Sequence, residues 1–133
     1  MKLANHKTII YMVYAILTVL ILNTKSMAQD SKVYRIAKIQ VDSMQLDKYK
    51  TALNEQMSTA IAVEPGVLSY YAVSDKKVPS HITIFEIYAS NAAYNYHIQT
   101  AHFKKYKETV KNMVKSLQLE DVNIILSSKK PGL

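Results

Sequence analysis

The chain has 133 residues, of which 49% are hydrophobic and 20% are charged, so it can hold one globular domain but not two. Its net charge of +7 comes from lysines spread along the chain, without an arginine-rich patch interleaved with aromatic residues, and this disfavours nucleic-acid binding. Because the chain has no cysteine, disulfides, thiol catalysis and lipid modification of an N-terminal cysteine are excluded.

The first 28 residues have the composition of a targeting segment. The segment is basic at its start, continues with an apolar run over residues 8–22, and ends with small side chains at Ser26 and Ala28, as a cleavage site requires. We therefore predict a signal peptide over residues 1–28 and a periplasmic or secreted domain over residues 29–133, with no membrane contact after cleavage. An uncleaved N-terminal membrane anchor is the alternative, although the apolar run is short for a span.

The next segments of the chain predict a strand, a helix and a hairpin. Residues 33–41 are rich in β-branched and aromatic side chains, which is typical of a strand. Residues 44–62 place apolar side chains at every fourth position and predict an amphipathic helix. The Glu-Pro-Gly sequence at residues 64–66 ends this helix, and its turn geometry gives it a structural role. Residues 67–73 and 81–88 predict two strands that pair as a hairpin.

The C-terminal part predicts two helices and a last strand. Ser90 can cap a short helix, and Thr100 can cap a second helix whose apolar stripe continues to Leu117. Most of the lysines between residues 104 and 115 lie off this stripe, and we interpret them as a solvated helix face. Residues 122–126 predict the fourth strand.

This order of elements predicts an α+β fold of the ferredoxin-like βαββααβ type, with a four-stranded antiparallel sheet and helices on one face. The predicted strands are apolar on both faces, as Ile84 and Phe85 illustrate. Helices can cover only one face, and the simplest cover for the other is a second copy packed sheet to sheet. We therefore predict a homodimer whose interface contains Tyr70, Phe85 or Ile124.

Strong catalytic signatures are absent from the sequence. With glycine at only two positions, the chain has no phosphate loop and no nucleotide or flavin fingerprint. His97 and His102 are five residues apart across a helix break, which is a poor spacing for a shared metal on one helix face, and the sequence clusters no carboxylates beside them. We therefore predict no metal site.

Three segments resemble the antibiotic biosynthesis monooxygenase family. They are EPGVLSY, PSHITIFEIYAS and AAYNYHIQTAHFKKY, which carry the family patterns E-x-G-x-x-x-Y, E-x-[WY]-x-S and H-x-x-[ST]-x-H-[FM]. The resemblance implies a dimeric α+β barrel with one cavity per subunit between sheet and helices. The family includes monooxygenases of quinols and polycyclic phenols that use no flavin, metal or haem, so no cofactor is expected.

The haem-degrading branch of the family uses an Asn, a Trp and a His. This chain has no tryptophan, Tyr88 stands where the strand-end Trp would be, and Lys107 stands where the helix His would be. Haem degradation is therefore disfavoured.

The resemblance implies chemistry in which the protein binds and deprotonates a small aromatic substrate that then reacts with dioxygen. His97 is the predicted base, because an imidazole titrates near working pH. His102 is the alternative base, and Glu86 is expected to orient either. The predicted substrate-binding residues are Tyr71, Tyr88 and Asn91.

Each of these residues has a structural alternative. The two histidines can cap and join the helix pair, Glu86 can be a contact between strand and helix, and the tyrosines can belong to the core or to the dimer interface. The corresponding alternative function is a non-catalytic exported dimeric module that binds a small molecule, since one fold hosts several functions.

Overall fold

A computed structural model describes residues 31–128 and residue 130. The predicted signal peptide over residues 1–28 lies outside the described residues, so its cleavage stays a prediction. Across the described part of the chain, no helix combines the length and the apolar character that a membrane crossing requires.

The described elements form one antiparallel sheet with helices packed against one face. In chain order they are β1 (Val33–Val41), a 3-10 turn (Ser43–Gln45), α1 (Leu46–Val63), β2 (Val67–Ser74), β3 (His81–Tyr88), α2 (Asn91–His97), α3 (Ala101–Val110) and β4 (Val114–Val122). The strand order is β2-β3-β1-β4, and every neighbouring pair is antiparallel. The predicted ferredoxin-like α+β fold is confirmed.

Short-range hydrogen bonds explain where the helices begin and end. The Ser90 side chain accepts from Ala93 N at the start of α2, and the Thr100 side chain accepts from Phe103 N at the start of α3. Glu64, the residue before Pro65, ends α1 with the extended angles φ −109° and ψ 103° that a following proline favours.

The boundary between α3 and β4 differs from the prediction. The helix expected to reach Leu117 ends at Val110, and the fourth strand is Val114–Val122 instead of residues 122–126. The apolar residues from Val110 to Leu117 fit a helical stripe, but Leu117 and Leu119 also alternate as in a strand, and pairing with β1 decides between the two patterns. The lysine-rich segment is therefore only partly helical, since Lys115 lies on β4.

The core lies between α1 and the helix-side face of the sheet. On β1, Ala37, Ile39 and Val41 are buried, whereas the intervening Lys38 and Gln40 are exposed on the other face. Buried side chains from the other elements complete the core: Tyr49 and Leu53 from α1, Ile82 and Ile84 from β3, and Val110 from α3. This alternation, with a period of two residues, fixes which strand residues face the helices.

A register shift near Leu68 changes the face assignments on β2. The pairing with β3 shifts between Val67 and Ser69, so that Tyr70 pairs with Glu86 on the helix side and Tyr71 pairs with Phe85 on the opposite face. The prediction that Tyr70 contributes to an interface on the opposite face is therefore wrong, because its side chain lies on the helix side.

The opposite face of the sheet carries apolar side chains, and no helix among the described residues packs against it. Tyr34 and Phe85 stack there with ring centroids 6.4 Å apart, and Tyr71 and Val73 are more than half exposed. Ile124 lies after the end of β4 and is not a sheet residue. The predicted dimer on this face stays a prediction, with Phe85 still a candidate contact.

Candidate active site

A cavity of about 90 Å³ lies between the helices and the sheet. It reaches the surface beside β4, where Leu117 and Leu119 in its lining are about half exposed. Its aromatic lining residues are Tyr70, Tyr88, Tyr94, Phe103 and Tyr106. Its polar lining residues are Arg35, Gln56, Glu86 and Lys107. An apolar and aromatic cavity with a few convergent polar groups is the usual form of a small-molecule site.

Two charged residues face each other across the floor of this cavity. Arg35 on β1 pairs in register with Glu86 on β3, and both lie on the same face of the sheet as buried apolar residues such as Ala37 and Ile84. Burial raises the pKa of the Glu86 carboxyl, while its hydrogen bond with Tyr88 and the charge of Arg35 act in the opposite direction. Arg35 is held by Asp121, and its guanidinium carbon lies 3.8 Å from the ring centroid of Tyr94.

A row of hydrogen-bonded side chains leads away from Glu86. The Tyr88 hydroxyl donates to Glu86 Oε2 at 2.9 Å, and the hydroxyls of Tyr88 and Tyr70 are 2.8 Å apart. The Tyr70 hydroxyl lies 2.9 Å from His97 Nε2. Burial raises the pKa of both tyrosines, so each hydroxyl keeps a proton that it can donate in a hydrogen bond.

His97 connects this row to a buried carboxylate. Its Nδ1 lies 2.8 Å from Glu64 Oε1, and His102 Nε2 lies 2.6 Å from the same oxygen. Both Glu64 and His97 are almost fully buried, whereas the His102 side chain is 20% exposed. Burial lowers the pKa of His97, and its contact with Glu64 acts in the opposite direction. The second oxygen, Glu64 Oε2, is buried without a hydrogen-bond partner among the described residues.

The structure brings some of the predicted site residues together and separates others. Glu86 and Tyr88 line the cavity. His97 does not line it, because Tyr70 and Gln56 lie between its Nε2 and the cavity. His102 lines a small groove between α1 and α3.

The other two predicted substrate-binding residues lie away from the cavity. Tyr71 is on the opposite face of the sheet and is 56% exposed. Asn91 is an exposed residue at the start of α2 and is not part of the cavity lining. Neither contacts the cavity in this structure.

The sequence interpretation missed three residues of the site. Glu64 was interpreted as part of a turn and Tyr70 as core or interface, yet these are the first and last fixed positions of the E-x-G-x-x-x-Y pattern, which was the available signal. Arg35 is the only arginine in the sequence and occupies an inward position of β1 between apolar residues, which was a second signal.

Glu64, His97 and His102 are close enough together to be considered as a metal site, since their ligand atoms lie within 4.8 Å of one another. The sequence has no clustered carboxylates beside the two histidines, but the fold brings Glu64, more than thirty positions away, between them. The contacts of 2.6 and 2.8 Å are hydrogen-bond lengths, whereas tetrahedral ligands of a zinc ion would be ~3.4 Å apart. The cluster fits a hydrogen-bonded triad better than a metal centre.

Fold and site together define a ferredoxin-like α+β domain with an aromatic cavity between sheet and helices. The chain belongs to the antibiotic biosynthesis monooxygenase family, because the family model of that description matches residues 32–109, more than half of the chain. Among curated proteins, none matches the chain.

Solved structures agree with this assignment. The chain is 43% identical, with a TM-score of 0.72, to a Bacteroides thetaiotaomicron protein provisionally named an antibiotic biosynthesis monooxygenase, and the match covers 75% of this chain and 95% of that one. A Lactobacillus acidophilus protein provisionally named a monooxygenase is 33% identical with a TM-score of 0.68, and the match covers 71% of this chain but only 45% of that one. A Caulobacter crescentus protein, 19% identical with a TM-score of 0.69 over 74% and 93% of the two chains, supports the fold alone.

Proposed function

We propose that the cavity binds a small phenolic compound of the quinol type and that the protein promotes its oxidation by dioxygen. The observation that carries this proposal is the Glu86 carboxyl in the wall of an otherwise largely aromatic and aliphatic cavity. Membership of a monooxygenase family supports the reaction class.

Glu86 replaces His97 as the group that would contact the substrate. A phenol in the cavity can reach Glu86 directly, whereas His97 is one hydrogen bond further away, behind Tyr70. Because burial raises the pKa of Glu86 toward working pH, its carboxylate is a better proton acceptor than an exposed one. Arg35, opposite Glu86, supplies positive charge that would stabilise the phenolate formed.

The proposed reaction balances without a further reductant. Deprotonation of one quinol hydroxyl breaks an O–H bond and leaves an electron-rich phenolate, which transfers an electron to dioxygen. Recombination at a ring carbon gives a peroxide, whose outer oxygen takes up the proton held by Glu86. The O–O bond then breaks, and the leaving hydroxide takes the hydrogen of that ring carbon as a proton to form water. Quinol and dioxygen thus give a hydroxyquinone and water, with the proton taken by Glu86 returned to the leaving oxygen.

The size of the cavity favours a single aromatic ring. At about 90 Å³ it is smaller than the ~150 Å³ cavity that admits benzene in a well-studied case, so even one ring requires some displacement of the lining. Leu117 and Leu119 are about half exposed at the mouth and are therefore the apolar lining residues whose displacement would enlarge the cavity. A polycyclic phenol would require a larger opening of the β4 edge.

The test is oxygen consumption by the cofactor-free domain with a panel of substituted hydroquinones. Glu86→Gln keeps an oxygen that can accept from Tyr88 but cannot accept the substrate proton, so we expect turnover to fall on the order of a hundredfold. Glu108→Gln, which removes an exposed carboxylate on α3, is the matched control and should keep the wild-type rate. Equal rates for wild type and Glu86→Gln would rule out this base.

A non-catalytic binding module is the competing outcome of the same experiment. If wild type binds a hydroquinone tightly, measured by calorimetry, but consumes no oxygen with any member of the panel, the cavity is a binding site and the enzymatic proposal fails.

A further inference from the structure

The side chains between the cavity and His102 form one continuous hydrogen-bonded row. Every consecutive pair lies between 2.6 and 2.9 Å apart. We propose that this row, here called the proton path, carries protons between Glu86 in the cavity wall and the protein surface at His102. Its members are Glu86, Tyr88, Tyr70, His97, Glu64 and His102. The inference rests on the proposed function, in which a phenol delivers its proton to Glu86.

When Glu86 is ionised, the direction of each hydrogen bond on the cavity side is fixed. Tyr88 donates its only hydroxyl proton to Glu86, so Tyr70 must donate to Tyr88. The contact between Tyr70 and His97 is then a hydrogen bond only when His97 carries a proton on Nε2 and donates it to Tyr70. With Nδ1–H donating to Glu64, His97 is an imidazolium in this arrangement.

When Glu86 is protonated, all of these hydrogen bonds reverse. Glu86 donates to Tyr88, Tyr88 to Tyr70, and Tyr70 to an unprotonated His97 Nε2, while Nδ1–H still donates to Glu64. The two arrangements contain the same number of protons. The two arrangements interconvert by three short proton transfers. In these transfers each tyrosine hydroxyl accepts one proton and releases another, as proton conduction along a row of hydrogen bonds requires.

Gln56 can support both arrangements. Its side-chain amide lies 3.2 Å from His97 Nε2 and is buried. The NH₂ group can donate to an unprotonated Nε2, and the carbonyl oxygen can accept from a protonated one after the amide rotates by half a turn. His97 Nε2 therefore has a hydrogen-bond partner in Gln56 whether or not it holds the proton.

Beyond His97, the carboxylate of Glu64 links the row to the surface. Glu64 Oε1 contacts both imidazoles, so a proton released from His97 Nδ1 passes through this oxygen to His102 Nε2 when His102 is in the tautomer that carries its proton on Nδ1. His102 is partly exposed beside the groove between α1 and α3, where Glu55 and Lys105 are the facing charges. One N–H bond is broken and one is formed, and no electrons move.

The proton path would let the proposed reaction exchange a proton with bulk water while a substrate fills the cavity. The proton that Glu86 takes from the phenol is needed again at the leaving oxygen, and between these two steps the path can hold it away from the phenolate. Glu86 alone can hold one proton but cannot exchange it with bulk water while a substrate fills the cavity. A row that ends at a partly exposed histidine provides that exchange.

Tyr70→Phe tests the path, because it removes the central hydroxyl and keeps the ring. We expect kcat for a hydroquinone to fall at least about tenfold with KM changed by less than about twofold. Tyr49→Phe is the matched control: among the residues that the structure describes, this buried hydroxyl is bonded only to that of Tyr106, at 2.9 Å and outside the path, so its loss should leave kcat unchanged. Wild-type kcat in Tyr70→Phe would overturn the path and leave the proposed function standing.

A second measurement needs no turnover and so separates the two proposals. The ¹⁵N shift of His97 Nε2 is followed against pH in wild type, Glu86→Gln, Tyr70→Phe and the double variant. If a proton is shared along the path, Glu86→Gln displaces the His97 titration in wild type but by less than half as much in the Tyr70→Phe background. If Glu86→Gln displaces the His97 titration equally in the wild-type and Tyr70→Phe backgrounds, the charge of Glu86 acts on His97 through space alone. This result would refute the path, even if the protein oxidises phenols.

Discussion

A side chain at Gly66 would place its Cβ only 2.5 Å from the Cβ of Ala93 and 3.3 Å from the Ala93 Cα. The requirement for glycine here is one of space, because the backbone of Gly66 is outside the left-handed region. The close approach holds the start of α2 against the start of β2, and the Gly66 carbonyl accepts from Ala89 N at 2.9 Å. It thereby sets the distance at which His97, at the end of α2, meets Glu64.

Gly66→Ala should therefore lower the free energy of unfolding by about 1–3 kcal/mol through overpacking. Chemical denaturation with urea measures it. In the double variant Gly66→Ala/Ala93→Gly the clash partner is removed, so the loss should be smaller than the sum of the two single losses. Additive losses, or a stable Gly66→Ala protein, would contradict the spatial explanation.

The carboxylate of Glu64 should control the titration of His97. Glu64 is the group whose contact raises the pKa of His97 against the effect of burial, so Glu64→Gln should lower that pKa further. Because a neutral amide oxygen accepts from the two rings more weakly than a carboxylate oxygen does, about 1.5–3 kcal/mol of stability should also be lost. Proton NMR titration of the histidines and urea denaturation give the two values.

Glu55→Gln is the control for this prediction. Glu55 is an exposed carboxylate on α1, the helix that precedes Glu64, and is paired with Lys105. Its substitution should change stability by less than about 0.5 kcal/mol and should leave the His97 titration in place. If both variants shift His97 equally, the direct contact with Glu64 does not determine its pKa.

The partly buried carboxyl of Glu86 should make stability depend on pH. The pKa of Glu86 in the folded state is raised above the ordinary value of 4.5. Its contribution to the free energy of unfolding is therefore fully present below pH 4.5 and is lost as the pH rises through the folded-state pKa. Glu86→Gln has no proton to lose. The variant should therefore gain stability relative to wild type between about pH 4 and pH 7, as urea denaturation at both pH values would measure.

His97 is expected to act in the opposite direction over part of this range. Burial lowers the pKa of His97 below 6.5. Its contribution to the free energy of unfolding is therefore present above pH 6.5 and is lost as the pH falls through the folded-state pKa. Comparing wild type with Glu86→Gln cancels this shared contribution to the extent that the two sites are independent. A difference in stability that is constant from pH 4 to pH 7 would contradict the raised pKa of Glu86.

The open face of the sheet should mediate a homodimer. Val73→Lys places a charge on that face and should convert the dimer into a monomer, measured by light scattering at micromolar concentration. Val63→Lys is a matched control, since Val63 and Val73 are both 62% exposed but Val63 lies at the end of α1. Monomeric wild-type protein, or dimeric Val73→Lys, would show that this face is not the interface.

The order of elements was predictable from the sequence because hydrophobic periodicity is a local property. Residues 44–62 repeat like a helix and residues 81–88 like a strand, and both elements formed nearly as predicted. The α3 to β4 boundary was not predictable in this way. Val110, Val114 and Leu117 satisfy the helical period, and only hydrogen bonding to β1 makes Val114–Val122 a strand.

The chemistry of the site depended on contacts between distant segments. Glu86 and His97 were identified from their pattern, but that pattern assigned the direct role to His97, and the structure separates His97 from the cavity by Tyr70. Glu64 was fully explained by the turn beside it, and nothing local indicated that its carboxylate meets two histidines more than thirty positions away.

Because the register of β2 shifts near Leu68, this strand should tolerate insertions and deletions at its start better than further along. A residue gained or lost between Val67 and Ser69 falls where two residues already oppose one, so the frame beyond it can be kept. A residue inserted between Ser69 and Tyr70 would instead reverse the faces of the rest of the strand and exchange the two adjacent tyrosines. The hydroxyl that reaches His97 would then point away from it, so insertions in related chains should be confined to the first part of the strand.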